Sequence, residues 1–137
     1  MTRLPFDKPK KRKKTPLGKL KKIAWKTFSL WIRKRGSPDG EHNTCVTCGA
    51  FKKITELHAS HFIPSRRNSI LFLEENCHPG CYVCNIMRHG ALEDYYPFML
   101  ARYGQETIDR IKRLKNEIFK PTREYYEALI EKYQTEE

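Results

Sequence analysis

Apolar positions set the first divisions of the chain. Ile23, Trp25, Phe28, Leu30, Trp31 and Ile32 recur at mixed three- and four-residue steps, which predicts a broadly apolar helix whose tryptophans pack in a core. Stacking on nucleic-acid bases is the other use such rings have. Gly36, Ser37, Pro38, Asp39 and Gly40 carry strong turn chemistry and end it. Residues 54–63 read as a strand closed by Pro64, 65–69 as a polar loop, and 70–73 as a returning strand. From Cys84 the chain is expected to enter a helix. Residues 95–102 form a short amphipathic helix that Gly104 breaks, and Ile108, Ile111, Leu114 and Ile118 line the face of a second. Pro121 starts a last helix striped by Tyr125, Leu129 and Tyr133. The predicted class is α+β, with the C-terminal helices packing together or across a dimer.

Two Cys-x-x-Cys pairs, Cys45/Cys48 and Cys81/Cys84, bracket the strand region. Two intervening residues let both sulfurs of a tight turn reach one ion about 2.3 Å away, so four thiolates make a closed structural zinc site. Gly49 suits the knuckle, where a positive φ is often required. Disulfides or plain buried thiols are the competing readings. Nothing marks the chain as secreted, and a reducing compartment favours zinc at this spacing. At 137 residues and 39% hydrophobic content the chain can bury one modest core, which a metal staple would support. No apolar run approaches the ~20 residues needed to span a bilayer, so a soluble protein of the cytoplasm is expected.

Charge adds a second feature. The formal net charge is +11, and ten Lys or Arg against Asp7 put +9 of it in residues 1–22. Pro5, Pro9 and Pro16 and the lack of a sustained apolar period predict a disordered basic arm over 1–22, followed by one domain over 23–137. Lys10, Lys11, Arg12, Lys13 and Lys14 form its densest run, suited to lying along phosphates and releasing counterions. A solubilising tail or an address signal has the same composition. Arg66, Arg67 and Arg88 are further candidate phosphate contacts, against the alternative of solvated charge.

The order His61, Asn76, Cys81-x-x-Cys84-Asn85, with the Cys45-x-x-Cys48-Gly49 knuckle upstream, resembles the HNH (His-Me finger) nucleases. The finer string Asn76-x-His78-x-x-Cys81-Tyr82-Val83-Cys84-Asn85 is similar to the NinG/Rap recombination proteins of lambdoid phages, and the likeness continues through Tyr103-Gly104-Gln105-Glu106. The resemblance implies a ββα-metal module on the zinc knuckle, flanked by an N-terminal helix and the C-terminal helices. It implies three roles: His61 as the general base, Asn76 bracing the loop that orients it, and Asn85 as ligand to a catalytic cation. An amide oxygen is a hard ligand, which suits Mg²⁺ or Mn²⁺.

The pattern departs from many HNH members at Ser60, where a second ligand is usual. His58 lies one two-residue step away on the same side of the strand and is the candidate replacement, unless it is a plain surface histidine. His89, four residues after Asn85, is a possible ligand on the same helical face or an ordinary exposed side chain. Cys77 and His78 are alternative zinc ligands that a complete cysteine set does not need. His42 is expected in a loop. The function this implies is a metal-dependent DNA endonuclease acting on branched DNA or recombination intermediates of a phage or prophage. The alternatives are a non-catalytic zinc-knuckle DNA-binding protein and an accessory that binds a protein partner. A homodimer would suit a symmetric junction.

Overall fold

The computed structural model describes residues 14–64 and 68–134. Lys10–Lys13 of the basic run, with Arg66 and Arg67, lie outside them. The first helix, α1 (Leu17–Lys34), starts well before Ile23. Its buried side chains are Leu20, Ala24, Phe28 and Ile32, every fourth residue, so the core stripe begins inside the lysine-rich stretch. The disordered arm expected over residues 1–22 does not include Leu17–Lys22, which are helical; residues 1–13 lie outside the described residues. Arg33 and Lys34 stand in the last turn, where cations oppose the helix dipole. Asn43 Nδ2 donates to the carbonyls of Arg33 and Arg35, at 2.9 Å each, and so serves carbonyls the helix end leaves unpaired.

The chain then makes a short antiparallel hairpin, β1 (His42–Thr44) with β2 (Phe51–Lys53), which carries the first cysteine pair in its turn. After a 3₁₀ turn at Ile54–Glu56, β3 (Leu57–His61) pairs antiparallel with β4 (Cys77–Cys81) in the register Leu57↔Cys81 to His61↔Cys77. The predicted strand is thus real from Leu57 to His61. The predicted return at 70–73 is not a strand: Asn68–Leu71 is one helical turn, α2, and Ile70 is wholly buried. An apolar run this short fits a buried turn or a strand equally well, and here packing decides.

The expected helix from Cys84 is a five-residue π-helical turn, Val83–Met87. His89 and Ala91 then adopt positive φ, near 50° each, which breaks the path before α3 (Leu92–Tyr103). Gly104 ends α3 as predicted, and α4 (Gln105–Lys115) buries Ile108 and Ile111. Ile118 lies beyond α4 and is 92% exposed, so it is not part of that face. The last helix, α5 (Arg123–Tyr133), is capped by Thr122, whose Oγ1 accepts from Tyr125 N. Tyr126 and Tyr133 are its buried residues, with Tyr125 and Leu129 packed at the edge.

Among the described residues, two of three buried apolar clusters flank the β3–β4 hairpin, and the third gathers Leu57 and Ala91 around Cys45, Cys81 and Cys84. On one side α1 and α5 enclose Phe28, Ala59, Phe72, Cys77, Tyr126 and Tyr133. On the other, α3 and α4 enclose Phe62, Ile63, Ile70, Tyr95, Met99, Ile108 and Ile111. The C-terminal helices therefore pack within the chain, α5 on α1 and α3 on α4. Among the described residues no helix is long and apolar enough to cross a membrane.

Candidate metal centre and adjoining polar cluster

The four cysteines come from two elements brought side by side. Cys45 and Cys48 lie in the β1–β2 turn, closed by Gly49 N–H donating to the Cys45 carbonyl at 2.9 Å, with Gly49 at φ +78°. Cys81 ends β4, and Cys84 sits in the π-helical turn. All four sulfurs lie within 4.8 Å of one another, and Cys48 Sγ is 3.7 Å from Cys81 Sγ. Sulfurs about 2.3 Å from one tetrahedral ion stand about 3.8 Å apart, so the set fits a metal ion such as zinc. All are thiols, and Cys45, Cys81 and Cys84 are buried. Burial opposes the Cys45 thiolate, but the Thr47 hydroxyl and nearby backbone N–H groups outweigh it and draw this thiol down to about 6. Burial instead pushes the Cys48 thiol up to about 12 and raises the Cys81 thiol, so metal binding at this set would release protons.

Behind this frame lies a polar cluster. Strand alternation turns His58 and Ser60 to the face of β3 that meets the π-helical turn, where Asn85 lies between them. Ser60 Oγ donates to Asn85 Oδ1 at 2.9 Å, and Asn85 Nδ2 meets His58 Nδ1 at 2.9 Å. Gly80, opposite His58 in β4, makes the room: a Cβ there would stand 2.8 Å from Ser60 Cβ. The apparent gap at Ser60 is therefore a brace for Asn85.

The brace is backed by a buried chain of hydrogen bonds. Tyr95 OH donates to the Ser60 carbonyl at 2.8 Å, which leaves its oxygen to accept from His78 Nδ1 at 3.0 Å. His78 Nε2 then accepts from Tyr103 OH at 2.7 Å. Burial, with Arg35 and Arg102 nearby, pulls the imidazole down to about 3, so His78 is neutral and its tautomer is set by its partners. His78 is a structural hub rather than an alternative zinc ligand. Cys77 is wholly buried against α1 and its thiol is pushed up by burial.

His61 is the last residue of β3 and faces the other way, toward α1. Its ring stacks on Trp25, with centroids 5.3 Å apart and planes 18° from parallel. Nε2 donates to the Leu71 carbonyl at 3.0 Å, and among the described residues no partner is found for Nδ1. Burial lowers its pKa, partly offset by that carbonyl, so the ring is neutral at physiological pH. Asn76 is wholly buried, and its side chain clamps the backbone just beyond His61. Oδ1 accepts from Ile63 N at 2.8 Å and Nδ2 donates to Ile63 O at 3.1 Å. The structure thus joins His58, Ser60 and Asn85 by contact, and ties Asn76 to the segment leaving His61.

The remaining candidates are elsewhere. His89 lies past the π-helical turn at φ 50°, not on one helical face with Asn85. Arg88 is exposed, pairs with Asp94 and reaches Cys84 Sγ at 3.7 Å. Lys14 is exposed just before α1. His42 opens β1 instead of lying in a loop, with Nδ1 2.8 Å from Asp39. Tyr95, Tyr103 and the stacking of Trp25 on His61 are the parts sequence reasoning missed. The polar spacing of His78 and the tyrosines has no short-range period to reveal it.

The family model described as Bacteriophage Lambda NinG protein matches residues 5–137. Protein ninG of Escherichia phage lambda is 28% identical over 106 residues, covering 72% of this chain and 52% of the relative. Protein ninG of Escherichia phage 933W is 29% identical over 124 residues, covering 85% and 61%, and that of Salmonella phage P22 is 26% identical over 102 residues, covering 69% and 50%. The chain thus spans little more than half the length of these relatives. No solved structure matches it. A family match over nearly the whole length places this chain in the bacteriophage lambda NinG protein family.

Proposed function

We propose that the chain is a metal-dependent DNA endonuclease of the HNH class, acting on branched DNA or recombination intermediates of a phage. The observation that carries this reading is the His58–Asn85 pair, braced by Ser60 and held by a cysteine frame at the end of a β-hairpin. The Asn85 amide fits equally well when reversed, with Nδ2 donating to Ser60 Oγ and Oδ1 beside His58 Nδ1. The two acceptors then stand 2.9 Å apart. Adjacent ligands of an octahedral ion about 2.1 Å away stand about 3 Å apart, so the pair suits Mg²⁺ or Mn²⁺. Such an ion, when bound, would offset charge on the phosphate and on the leaving oxygen.

His61 would take the proton of the attacking water at Nδ1. The Leu71 carbonyl fixes the proton on Nε2, burial keeps the ring neutral, and Trp25 and the Asn76 clamp fix its aim. His61 and the His58–Asn85 pair lie on opposite faces of β3, so this reading requires the phosphodiester and its attacking water to reach both groups around the strand end, where His61 stands. The branched substrate follows the resemblance to the NinG/Rap recombination proteins. Basic residues 1–22 and Arg88 would hold flanking phosphates.

The test is incubation of the purified chain with a four-way junction and a supercoiled plasmid, with Mg²⁺, with Mn²⁺ and with neither. Ion-dependent cutting of the junction in preference to the plasmid is expected. Binding without cutting under all three conditions would replace this reading with a non-catalytic zinc-knuckle DNA-binding protein.

A further inference from the structure

The chain leaving β3 lines a cavity of about 520 Å³ that the nuclease reading does not use. Phe62 follows His61 by one peptide bond, but its side chain turns to the α3–α4 core while His61 faces α1, so the cavity lies on the other side of the chain from the proposed base. Its walls are apolar and aromatic: Phe62 and Tyr96 stand 6.0 Å apart between ring centroids at 48°, with Leu92 beside them. Leu92 is 49% exposed. The Tyr96 hydroxyl donates to Gln105 Oε1, which fixes the ring. Among the described residues, Lys112, Lys115 and Asn116, from the end of α4, complete the lining, and no acidic residue takes part.

These parts divide by chemistry. The partly exposed Tyr96 ring, backed by the buried Phe62, offers a face on which a planar base can stack, Asn116 offers both a donor and an acceptor, and two ammonium groups one helical turn apart offer contacts to successive phosphates. The cavity is far too small for a duplex, and paired bases present no free face to it. We infer that it receives an unpaired nucleotide of the DNA substrate, at a branch point, flap or frayed end. This rests on the nucleic-acid reading above, and it gives a physical reason for a preference for branched DNA.

The experiment measures binding by the full chain in zinc-containing buffer without Mg²⁺, so that no cutting is needed. The probes are a blunt duplex and the same duplex carrying a three-nucleotide flap with 2-aminopurine. The flap substrate should bind about 10-fold more tightly, the weight of about one stacked base, with quenched 2-aminopurine emission. Lys112→Gln with Lys115→Gln should remove most of that preference, and Tyr96→Leu should remove it together with the quenching. If Tyr96→Leu fails to fold, the lysine pair, on the surface of α4, decides alone. Equal affinity for both probes in the unaltered chain, or a preference that survives the lysine variant, overturns the inference. Flap preference without ion-dependent cutting would uphold the cavity and remove the nuclease. Junction cutting without flap preference would do the reverse.

Discussion

At the scale of single residues, Ser60 and His78 show what a one-dimensional reading misses. Ser60 looked like a missing ligand because only its neighbours in sequence were visible. Gly80 and Asn85, which explain it, lie 20 and 25 positions away. The sequence pairs His61 with Asn76, but the carbonyl, ring and backbone groups these side chains meet belong to Leu71, Trp25 and Ile63. His78 carries a pH signature. Its folded pKa, about 3, is far below the ordinary value near 6.5, so the unfolded chain binds the extra proton between those limits. The stability it contributes is present above about pH 6.5 and is lost as the pH falls toward 3. In denaturant unfolding between pH 6.5 and 4.5, His78→Gln should flatten the fall by about 1.4 kcal/mol per pH unit relative to the unaltered chain. Parallel pH dependences in the two proteins would show that His78 is not held neutral.

Among elements, those with a long period were legible and the short ones were not. The α3 and α4 faces follow a 3.6-residue rhythm and were found with the Gly104 break between them. The return strand was misplaced because Cys77–Cys81, with His, Pro and Gly inside it, has no strand-like composition. Burial of every one of its residues, and pairing with β3, overrides that local preference. The helix expected after Cys84 is only one π-helical turn because the chain must return Cys84 to the other cysteines and place Asn85 against β3. These elements are too short to hold their positions without a cross-link. The unaltered chain should carry one zinc, and Cys81→Ser should release it and abolish cooperative unfolding, since metal binding is part of the folding energy. Metal content by mass spectrometry and a thermal melt check it; retained zinc with an unchanged melt would contradict a structural role.

Over the whole molecule, charge and core overlap where the sequence suggested a clean border. Residues 1–13 hold six Lys or Arg, while Leu20, inside the expected arm, packs against the first core. The two contributions separate by truncation. Removing 1–13 should weaken DNA binding and reduce its salt slope, by at most about 5, with the melting temperature unchanged. Removing 1–22 should also cost about 2–5 kcal/mol of stability through the lost Leu20 contacts, read by denaturant unfolding. An unchanged salt slope after the shorter cut would assign the arm another task. The central claim, that His61 handles the proton while Asn85 and His58 hold the cation, is tested most directly by titrating Mg²⁺ against junction-cutting rate in three variants. His61→Ala should cut about 10²–10⁴-fold more slowly at every Mg²⁺ concentration. Asn85→Ala and His58→Ala should need more Mg²⁺ but recover with it, since mass action can offset a lost ligand and cannot restore a lost base. Full activity in His61→Ala, or an unchanged Mg²⁺ requirement in both ligand variants, would contradict the account.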